Sequence, residues 1–305
     1  MSVVAERATR ARARPTTRRR RLQRSPLGRL TRRLPLYLLV ALIFIYALFP
    51  FYWALRSAFT PDADLFSTPV QYIPLNPTLA NFRDVLGSGD FQRALLNSTI
   101  VAGSVTLLAL AVGSLAAYAL GRFRFRGRSA TLYLMLSMTI FPQIAILGAL
   151  YTMITRFGLF NSLSALIFSY MIFTLPFTVW VLTSFMRALP RDLEEAAYID
   201  GASPLQVFYR VLLPLVAPGL VTTGLLAFIA AWNEFLYALS FTQTPDKYTV
   251  PVAIASFGGR SGSAFEVPWG QIMAATIVVT VPLITLTLIL QRRILAGLTA
   301  GAVKG

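Results

Sequence analysis

Long apolar runs without charged side chains constrain this chain more than any other feature of its sequence. A helix needs about 20 apolar residues to cross the hydrocarbon core of a bilayer, and six stretches reach that length, one of which contains a single acid, Glu234. Only 13% of the 305 residues are charged, against about 25% in an ordinary soluble domain. The predicted fold class is therefore an all-α integral membrane protein with six transmembrane helices. The predicted spans are Leu34–Leu55, Ser98–Leu120, Ala130–Thr155, Ser162–Met186, Pro218–Ser240 and Val267–Gln291.

Several residue types are missing, and their absence excludes whole classes of enzyme. The chain has no cysteine and no histidine, which excludes a disulfide framework, a thiol nucleophile, a zinc cluster and a histidine base. Neither of its two lysines, Lys247 and Lys304, is followed by Ser or Thr, so the sequence contains no lysine-centred phosphate-binding loop. We therefore expect no catalytic residue, no metal site and no cofactor bound by this chain.

The basic residues are distributed unequally between the two sides of the predicted bundle. The N-terminal tail, residues 1–33, carries twelve arginines against one acid, Glu6, and the loop after the second span carries four more arginines. Since cytoplasmic segments are enriched in Lys and Arg, both termini are predicted to be cytoplasmic, in a multi-pass protein of the plasma membrane. The predicted organisation is a basic disordered tail over 1–33, a membrane domain over 34–291 and a cytoplasmic tail over 292–305.

The arginine-rich N-terminal tail has two interpretations. Clustered arginines attract the phosphates of nucleic acids or of anionic lipids. Equally, such a cluster holds a tail on the cytoplasmic side during insertion. We favour the second interpretation and expect no nucleic-acid partner, because nucleic-acid binding would leave six long spans unexplained.

Residues 190–214, between the fourth and fifth predicted spans, indicate two short helices joined at a glycine. Asp192, with Glu195 three residues later, predicts a capped start for the first helix. Gly201 supplies the backbone freedom that ends it. Ser203 and Pro204 predict the start of the second helix, and Gln206 completes a capping box there.

The second of these short helices has an apolar face that needs a partner. Leu205, Phe208, Tyr209 and Leu212 fall at helical spacing, and Pro214 is predicted to end the motif. Physical reasoning alone favours neither of two partners over the other. The helix could lie on the membrane surface against the lipid headgroups, or it could bind in a cleft of another protein.

This segment resembles the EAA motif found in permease subunits of ATP-binding-cassette importers, E-A-A-x-x-D-G-A followed after eight residues by an apolar-x-apolar-P ending. The matching residues are Glu195, Ala196, Ala197, Asp200, Gly201, Ala202, Val211, Leu213 and Pro214. In that family the two short helices dock into a cytoplasmic ATPase subunit and couple its closure to the spans. The resemblance implies that the coupling residues here are Glu195, Ala196, Ala197, Asp200, Gly201, Ala202, Ser203, Pro204, Phe208 and Pro214.

The resemblance extends from about Leu36 to the C-terminus, towards the carbohydrate-importer branch related to the maltose importer. It is carried by Ala117–Gly127, Ala231–Phe235 and Gln291–Ile294. The ending Gly297–Gly305 is similar to the tail of the smaller maltose-type permease, which reaches between the ATPase subunits, and this implies ATPase contacts at Gly301, Val303 and Lys304.

The partners and the cargo are also implied by this resemblance. They are a second permease, two copies of an ATPase that hold ATP and Mg, and an extracytoplasmic sugar-binding protein that delivers a sugar, with maltose or trehalose as the first expectation. The main alternative is a stand-alone secondary transporter, which should show matching halves and several ionisable residues within its spans. Neither feature is found in the sequence.

The fifth predicted span contains Trp232, Asn233 and Glu234, which have two readings. An aromatic ring, an amide and a carboxylate suit a hydroxyl-rich sugar, so these residues could line the substrate pathway. The alternative, which we favour, is hydrogen bonding between helices near the outer end of the span.

Three further patterns give expectations about the spans and their outer connection. Gly113, Ala117 and Gly121 recur every four residues and predict a close helix–helix contact. The prolines in the third, fourth and sixth spans predict kinks, at Pro142, Pro176 and Pro282. The outer segment from Phe241 to Trp269 is predicted to be a flexible loop.

Overall fold

A computed structural model describes residues 26–259 and 267–302, with the backbone alone at 26–32, 259 and 292–302. Within the described ranges the regular structure is helical and no strand occurs. The helices are α1 Pro26–Ala58, α2 Ala80–Gly87, α3 Gly89–Arg122, α4 Arg128–Ile140, α5 Gln143–Arg156, α6 Leu163–Ala188, α7 Asp192–Ile199, α8 Pro204–Leu215, α9 Ala217–Trp232, α10 Leu236–Phe241, α11 Val250–Ala255 and α12 Trp269–Ala302.

The chain divides into two compact units, residues 1–51 and residues 52–305. The described part of the first unit is the N-terminal portion of α1, which begins at Pro26. Eight residues of the predicted tail are thus helical, whereas residues 1–25 lie outside the described part. At the other end, α12 runs through the predicted boundary at Gln291 as far as Ala302.

Among the described residues, four helical segments are long and apolar enough to cross a membrane, and two bent helix pairs raise that number to as many as six. The four are Arg33–Ala58, Gly89–Arg122, Leu163–Ala188 and Trp269–Gln291. The bent pairs are α4 with α5, which meet at 96°, and α8 with α9, which meet at 76°. The predicted all-helical class is confirmed.

The predicted kink at Pro142 is a complete break between two helices, α4 and α5. Pro142 precedes the first residue of α5, and Phe141 has the extended backbone (ψ 133°) that a residue before proline prefers. The helix therefore breaks there. Pro176 and Pro282, by contrast, lie inside the continuous helices α6 and α12, so only one of the three prolines divides its predicted span.

The centre of the bundle is the contact between α3 and α6, and it confirms the close helix–helix contact that the small residues of α3 predicted. A Cβ atom on Gly113 would lie 2.7 Å from Cγ2 of Thr178, and one on Gly121 would lie 2.9 Å from Cβ of Met186. Ala117, between the two glycines, is fully buried. The absence of side chains at these positions lets the two backbones approach closely.

We expect Gly113→Ala to destabilise the protein and Gly103→Ala, its control in the same helix, to have the opposite effect. The methyl group at position 113 would overlap Thr178, and overpacking of this kind costs about 1–3 kcal/mol. No atom lies within 4 Å of a Cβ on Gly103, so alanine there gains about 1 kcal/mol of helix propensity. Thermal unfolding of the detergent-extracted protein measures both. Equal shifts for the two variants would contradict the close contact.

The outer segment after α10 is more ordered than predicted, at least as far as residue 259. A turn over Pro245–Lys247 and helix α11 follow α10. Asn97 of α3 donates to the carbonyl oxygens of Asp246 and Tyr248, both at 2.9 Å, and the backbone N–H of Val250 donates to Ser98 Oγ at 2.9 Å. The prediction of a flexible loop was therefore wrong for residues 241–259, because side chains of α3 bind its backbone. Residues 260–266 lie outside the described part.

Candidate functional site: a pair of short helices

The residues that carry the EAA pattern form two short helices at one end of the α3–α6 contact. Helix α7 ends in a Schellman motif: the N–H of Gly201 donates to Tyr198 O at 3.0 Å, and the N–H of Ala202 donates to Ala197 O at 2.9 Å. Gly201 has a φ of 83°, a left-handed conformation that glycine adopts without a steric penalty. The predicted joint at Gly201 is confirmed.

The predicted start of α8 is also confirmed, whereas that of α7 was wrong. Ser203 Oγ accepts from the N–H of Gln206 at 3.4 Å, and the Gln206 side chain accepts from the N–H of Ser203 at 2.7 Å. Pro204 occupies the first helical position. In α7 the capping position belongs to Arg191, and its side chain makes no cap hydrogen bond. Asp192 is instead the first helical residue, where a carboxylate still favours the positive end of the helix.

Helix α8 contains a π-helical stretch before Pro214, which does not end the helix as predicted. The N–H of Leu213 donates to the carbonyl of Phe208, five residues earlier. Proline has no N–H to donate to the carbonyl four residues earlier in an α-helix, and its ring clashes with that carbonyl. One wider turn accommodates both effects. The helix continues to Leu215, and the bend to α9 follows at Val216.

The apolar face predicted for α8 is divided between the interior and the surface. Phe208 and Leu212 are buried against the ends of α3 and α6, together with Val207. Leu205 remains 61% exposed and Tyr209 43%. Phe208 therefore supports the helix from within, and a partner cannot reach it without rearrangement.

Exposed apolar side chains of α7 and α8 form what we call the docking ridge. It consists of Leu193, Tyr198, Ile199, Leu205 and Tyr209, of which Ile199 is 86% exposed. Among the motif residues, Glu195, Ala196, Asp200, Gly201, Ser203, Pro204 and Pro214 are exposed, and Ala197 and Ala202 are half-buried. Such a ridge on a short, capped helix pair is suited to insertion into an apolar cleft.

A buried ion pair that sequence reasoning missed ties α7 to the end of α3. Nε of Arg122 lies 2.7 Å from Oε1 of Glu194, and the two side chains are 5% and 12% exposed. The Arg122 guanidinium also donates to the carbonyl oxygen of Leu189, just after α6, at 3.0 Å. A single arginine thus joins the ends of three helices.

A second connection between α3 and this helix pair is aromatic. The Tyr118 ring lies 5.2 Å from the rings of both Phe208 and Phe123, and its hydroxyl donates to Pro204 O at 3.2 Å. Tyr118 and Arg122 are one helical turn apart on α3. The helix pair is therefore held against one face of α3 by two contacts.

The three candidate pathway residues make local contacts of a structural kind. Trp232 is 4% exposed, and its ring lies 5.5 Å from that of Phe228. Asn233 is exposed, and its side-chain amide donates to Ile229 O in the preceding turn at 2.9 Å. The Glu234 carboxylate accepts from the backbone N–H groups of Tyr237 at 2.8 Å and Ala238 at 3.1 Å.

Glu234 thus caps the short helix α10. Its carboxylate also interacts with the Tyr170 side chain of α6, which agrees with the predicted contact between helices. We expect Glu234→Ala to destabilise the protein by about 1 kcal/mol, the usual cost of losing an N-terminal helix cap. Glu234→Gln is the matched control, because its amide oxygen still accepts from one N–H group. Thermal unfolding distinguishes the two variants, and an unchanged melting temperature for Glu234→Ala would contradict the capping role.

The predicted tail contacts fall mostly beyond the part of the chain that the structure describes. Gly301 lies in the last turn of α12, where only the backbone is described, and Val303 and Lys304 lie outside the described residues. No group of three or more acidic residues with metal-binding geometry occurs within the described ranges.

Within the described residues, a helical bundle with several helices of membrane-spanning length defines the class of multi-pass membrane proteins. Comparison with known sequences agrees. Residues 109–299 match the family described as binding-protein-dependent transport system inner membrane component. The chain belongs to this family and is a multi-pass protein of the inner membrane.

Curated relatives match over most of their length. The trehalose/maltose transport system permease protein MalG of Thermococcus litoralis is 44% identical over 266 residues, covering 87% of this chain and 94% of the relative. The trehalose transport system permease protein SugB of Mycobacterium tuberculosis is 43% identical over 260 residues, covering 85% and 93%. These relatives confirm the resemblance to permeases of carbohydrate ATP-binding-cassette importers.

A solved structure shares the fold. It is a chain of a bacterial ABC transporter involved in the import of the acidic polysaccharide alginate, with a TM-score of 0.75 at 19% identity, over 88% of this chain and 98% of that one. At this identity the likeness concerns the fold alone.

Proposed function

We propose that this permease carries a sugar inward, with an α-glucoside such as maltose or trehalose as the first candidate cargo. The proposal rests above all on the two relatives named for trehalose or maltose transport, each more than 40% identical to this chain. An extracytoplasmic binding protein would deliver the sugar, in line with the description of the family.

The topology we propose has six spans with both termini in the cytoplasm. The bent pair α4–α5 would act as the third span, and α9 as the fifth. The four arginines over residues 122–128 and the docking ridge would then share the cytoplasmic side with the basic N-terminal tail, as the positive-inside rule requires. The proposed organisation keeps the tail at 1–33, the membrane domain at 34–291 and the C-terminal segment at 292–305.

The partners proposed for this chain are a second permease and two copies of a cytoplasmic ATPase, which would hold ATP and Mg. We propose no cofactor for the chain itself. The docking ridge would occupy a cleft in one ATPase, with Glu195, Asp200 and Ser203 exposed around it. Gly301, Val303 and Lys304 would add contacts from the C-terminal tail.

Transport would proceed by alternating access, and this chain's part is mechanical. When the ATPases close, the helix pair moves as a rigid body, because its joint at Gly201 and its cap at Ser203 are well defined. The Arg122–Glu194 pair and the Tyr118–Phe208 contact pass that movement to α3. Close packing of α3 against α6 then carries the shift into the bundle as a rigid-body motion.

Within the proposed sugar pathway, Asn233 is the candidate that keeps an exposed polar group. Trp232 is buried and Glu234 caps α10, so both would shape the pathway indirectly. A stand-alone secondary transporter is not favoured, because the relatives are named as permease proteins of transport systems, and Glu234 is the only acid in the predicted spans.

The deciding experiment is a gentle detergent extraction of the tagged protein from its native membrane. We expect a second permease and a soluble ATPase to co-purify, and the reconstituted complex to import labelled trehalose or maltose when its binding protein and ATP are present. A complex without ATPase activity would overturn the coupling proposal. An active complex that imports neither sugar would overturn only the proposed cargo.

A further inference from the structure

Arginines cluster where α3, α4 and α6 meet, and acidic side chains do not balance them. Arg128 donates to Gly121 O at 2.9 Å, and Arg187 donates to Leu120 O at 3.3 Å. Each guanidinium thus uses one nitrogen to bind the last turn of α3 and keeps further N–H donors. Among the described residues the ion pairs within 4 Å are Arg122–Glu194 and Lys247–Asp246. Neither includes Arg128 or Arg187.

The cluster concentrates positive charge at a single point. Arg124, Arg187 and Arg191 all lie close enough to Arg128 for their charges to act on it. Arg191 shares a small cavity with Glu194 and Glu195, which offset its charge. The other three arginines have no such neighbour, and like charges held together favour the binding of an anion.

Beside the cluster lies a cavity that is polar at one end and aromatic at the other. Its volume is about 180 Å³, and its lining residues are Ser129, Leu132, Tyr133, Trp180 and Arg187. With a rise of about 1.5 Å per residue, Trp180 lies roughly 10 Å along α6 from Arg187, and Tyr133 lies roughly 6 Å along α4 from Ser129. Trp180 is 41% exposed and Tyr133 73%. Such rings are typical of the border between lipid headgroups and acyl chains.

We propose that the phosphate group of an anionic phospholipid binds where this cavity meets an adjoining groove, with Arg187 on the cavity side, Arg128 on the groove side and Ser129, which lines both, as the polar contacts. The start of the acyl chain would lie against Leu132, Tyr133 and Trp180. The groove, of about 460 Å³ and lined by Arg124, Arg128 and Ser129 among others, has room for the remainder of the headgroup.

The apolar end of the cavity is the reason to name a lipid as the source of the phosphate. A soluble phosphate needs only the arginines, whereas the exposed rings are unsuited to water and continue the cavity towards the hydrocarbon core. The site needs this end of α6 to reach the surface of a leaflet, as the proposed topology requires. It does not depend on which sugar, if any, the protein carries.

Lipid selectivity of the unmodified protein is the first test. The full-length protein, with the subunits that co-purify, is loaded with equal amounts of phosphatidylglycerol and phosphatidylcholine of the same acyl chains, and retained lipids are counted by native mass spectrometry. We expect phosphatidylglycerol to be retained preferentially and inorganic phosphate not to displace it. Equal retention of the two lipids, or full displacement by inorganic phosphate, would overturn the lipid site.

Variants then locate the site. Arg128→Gln and Arg187→Gln should each weaken phosphatidylglycerol binding about fivefold, and roughly twenty-five-fold together. Arg126→Gln is the matched control, because Arg126 is exposed on the same loop and lines neither cavity. Arg187→Lys, which keeps the charge, should retain most of the binding. If Arg126→Gln weakens binding as much as Arg187→Gln does, the preference is a general effect of surface charge and the site is overturned.

Discussion

Neutralising either member of the Arg122–Glu194 pair alone is expected to destabilise the protein by about 3–5 kcal/mol, because the remaining buried charge loses its partner. Arg122→Met leaves the Glu194 carboxylate only 12% exposed among packed helix ends, and Glu194→Gln leaves the Arg122 guanidinium 5% exposed. Since the pair also joins α7 to α3, both variants should lose transport together with thermal stability.

A double-mutant cycle separates the interaction energy of the ion pair from the effect of changing the size of each side chain. The double variant Arg122→Met with Glu194→Gln should recover most of the stability that the single variants lose, because no unpaired charge is then buried. Arg126→Met serves as the control for removal of an exposed arginine in the same loop. Melting temperatures in detergent measure all four variants. A double variant no more stable than the less stable single one would contradict the pairing.

The second large effect is expected at Gly201, where a strained joint should reduce coupling while lowering stability by no more than about 1–3 kcal/mol. Valine strongly disfavours the left-handed backbone found there (φ 83°), so Gly201→Val should re-aim α8 relative to α7. A Cβ atom at this position meets no atom within 4 Å, so insertion and folding should be preserved. We expect transport per ATP hydrolysed to fall about tenfold or more. The backbone strain of valine at this position costs about 1–3 kcal/mol, and about 1.4 kcal/mol corresponds to a tenfold change.

The matched control is Gly201→Asn, because asparagine tolerates the left-handed region far better than valine does. Both variants add a side chain at the same exposed position, and only the backbone preference distinguishes them. Reconstituted transport and ATP hydrolysis are measured in parallel. Full coupling in Gly201→Val, or equal loss in both variants, would show that the joint's conformation does not transmit the movement.

Local sequence signals predicted the parts of the site that depend on neighbouring residues. The Schellman end at Gly201 and the capping box at Ser203 and Gln206 are examples, because each is formed within a few residues. Where two local signals compete, prediction was less reliable. Asp192 was expected to cap α7, but the helix begins one residue earlier, with Arg191 at the cap. Pro214 was expected to end α8, but a wider turn accommodates it.

The sequence by itself determined the membrane class, because long apolar segments satisfy their backbone hydrogen bonds in lipid only as helices. It also determined which face of α3 meets another helix, because Gly113 and Gly121 place small side chains on that face; the structure identified the partner as α6. Only the tertiary structure decided which side chains of that framework meet. Arg122 and Glu194 are 72 positions apart, Phe208 turns inward against Tyr118, and Glu234 caps the helix that follows it. Such pairings depend on how the helix ends converge in space, and the periodicity of the sequence does not predict that geometry.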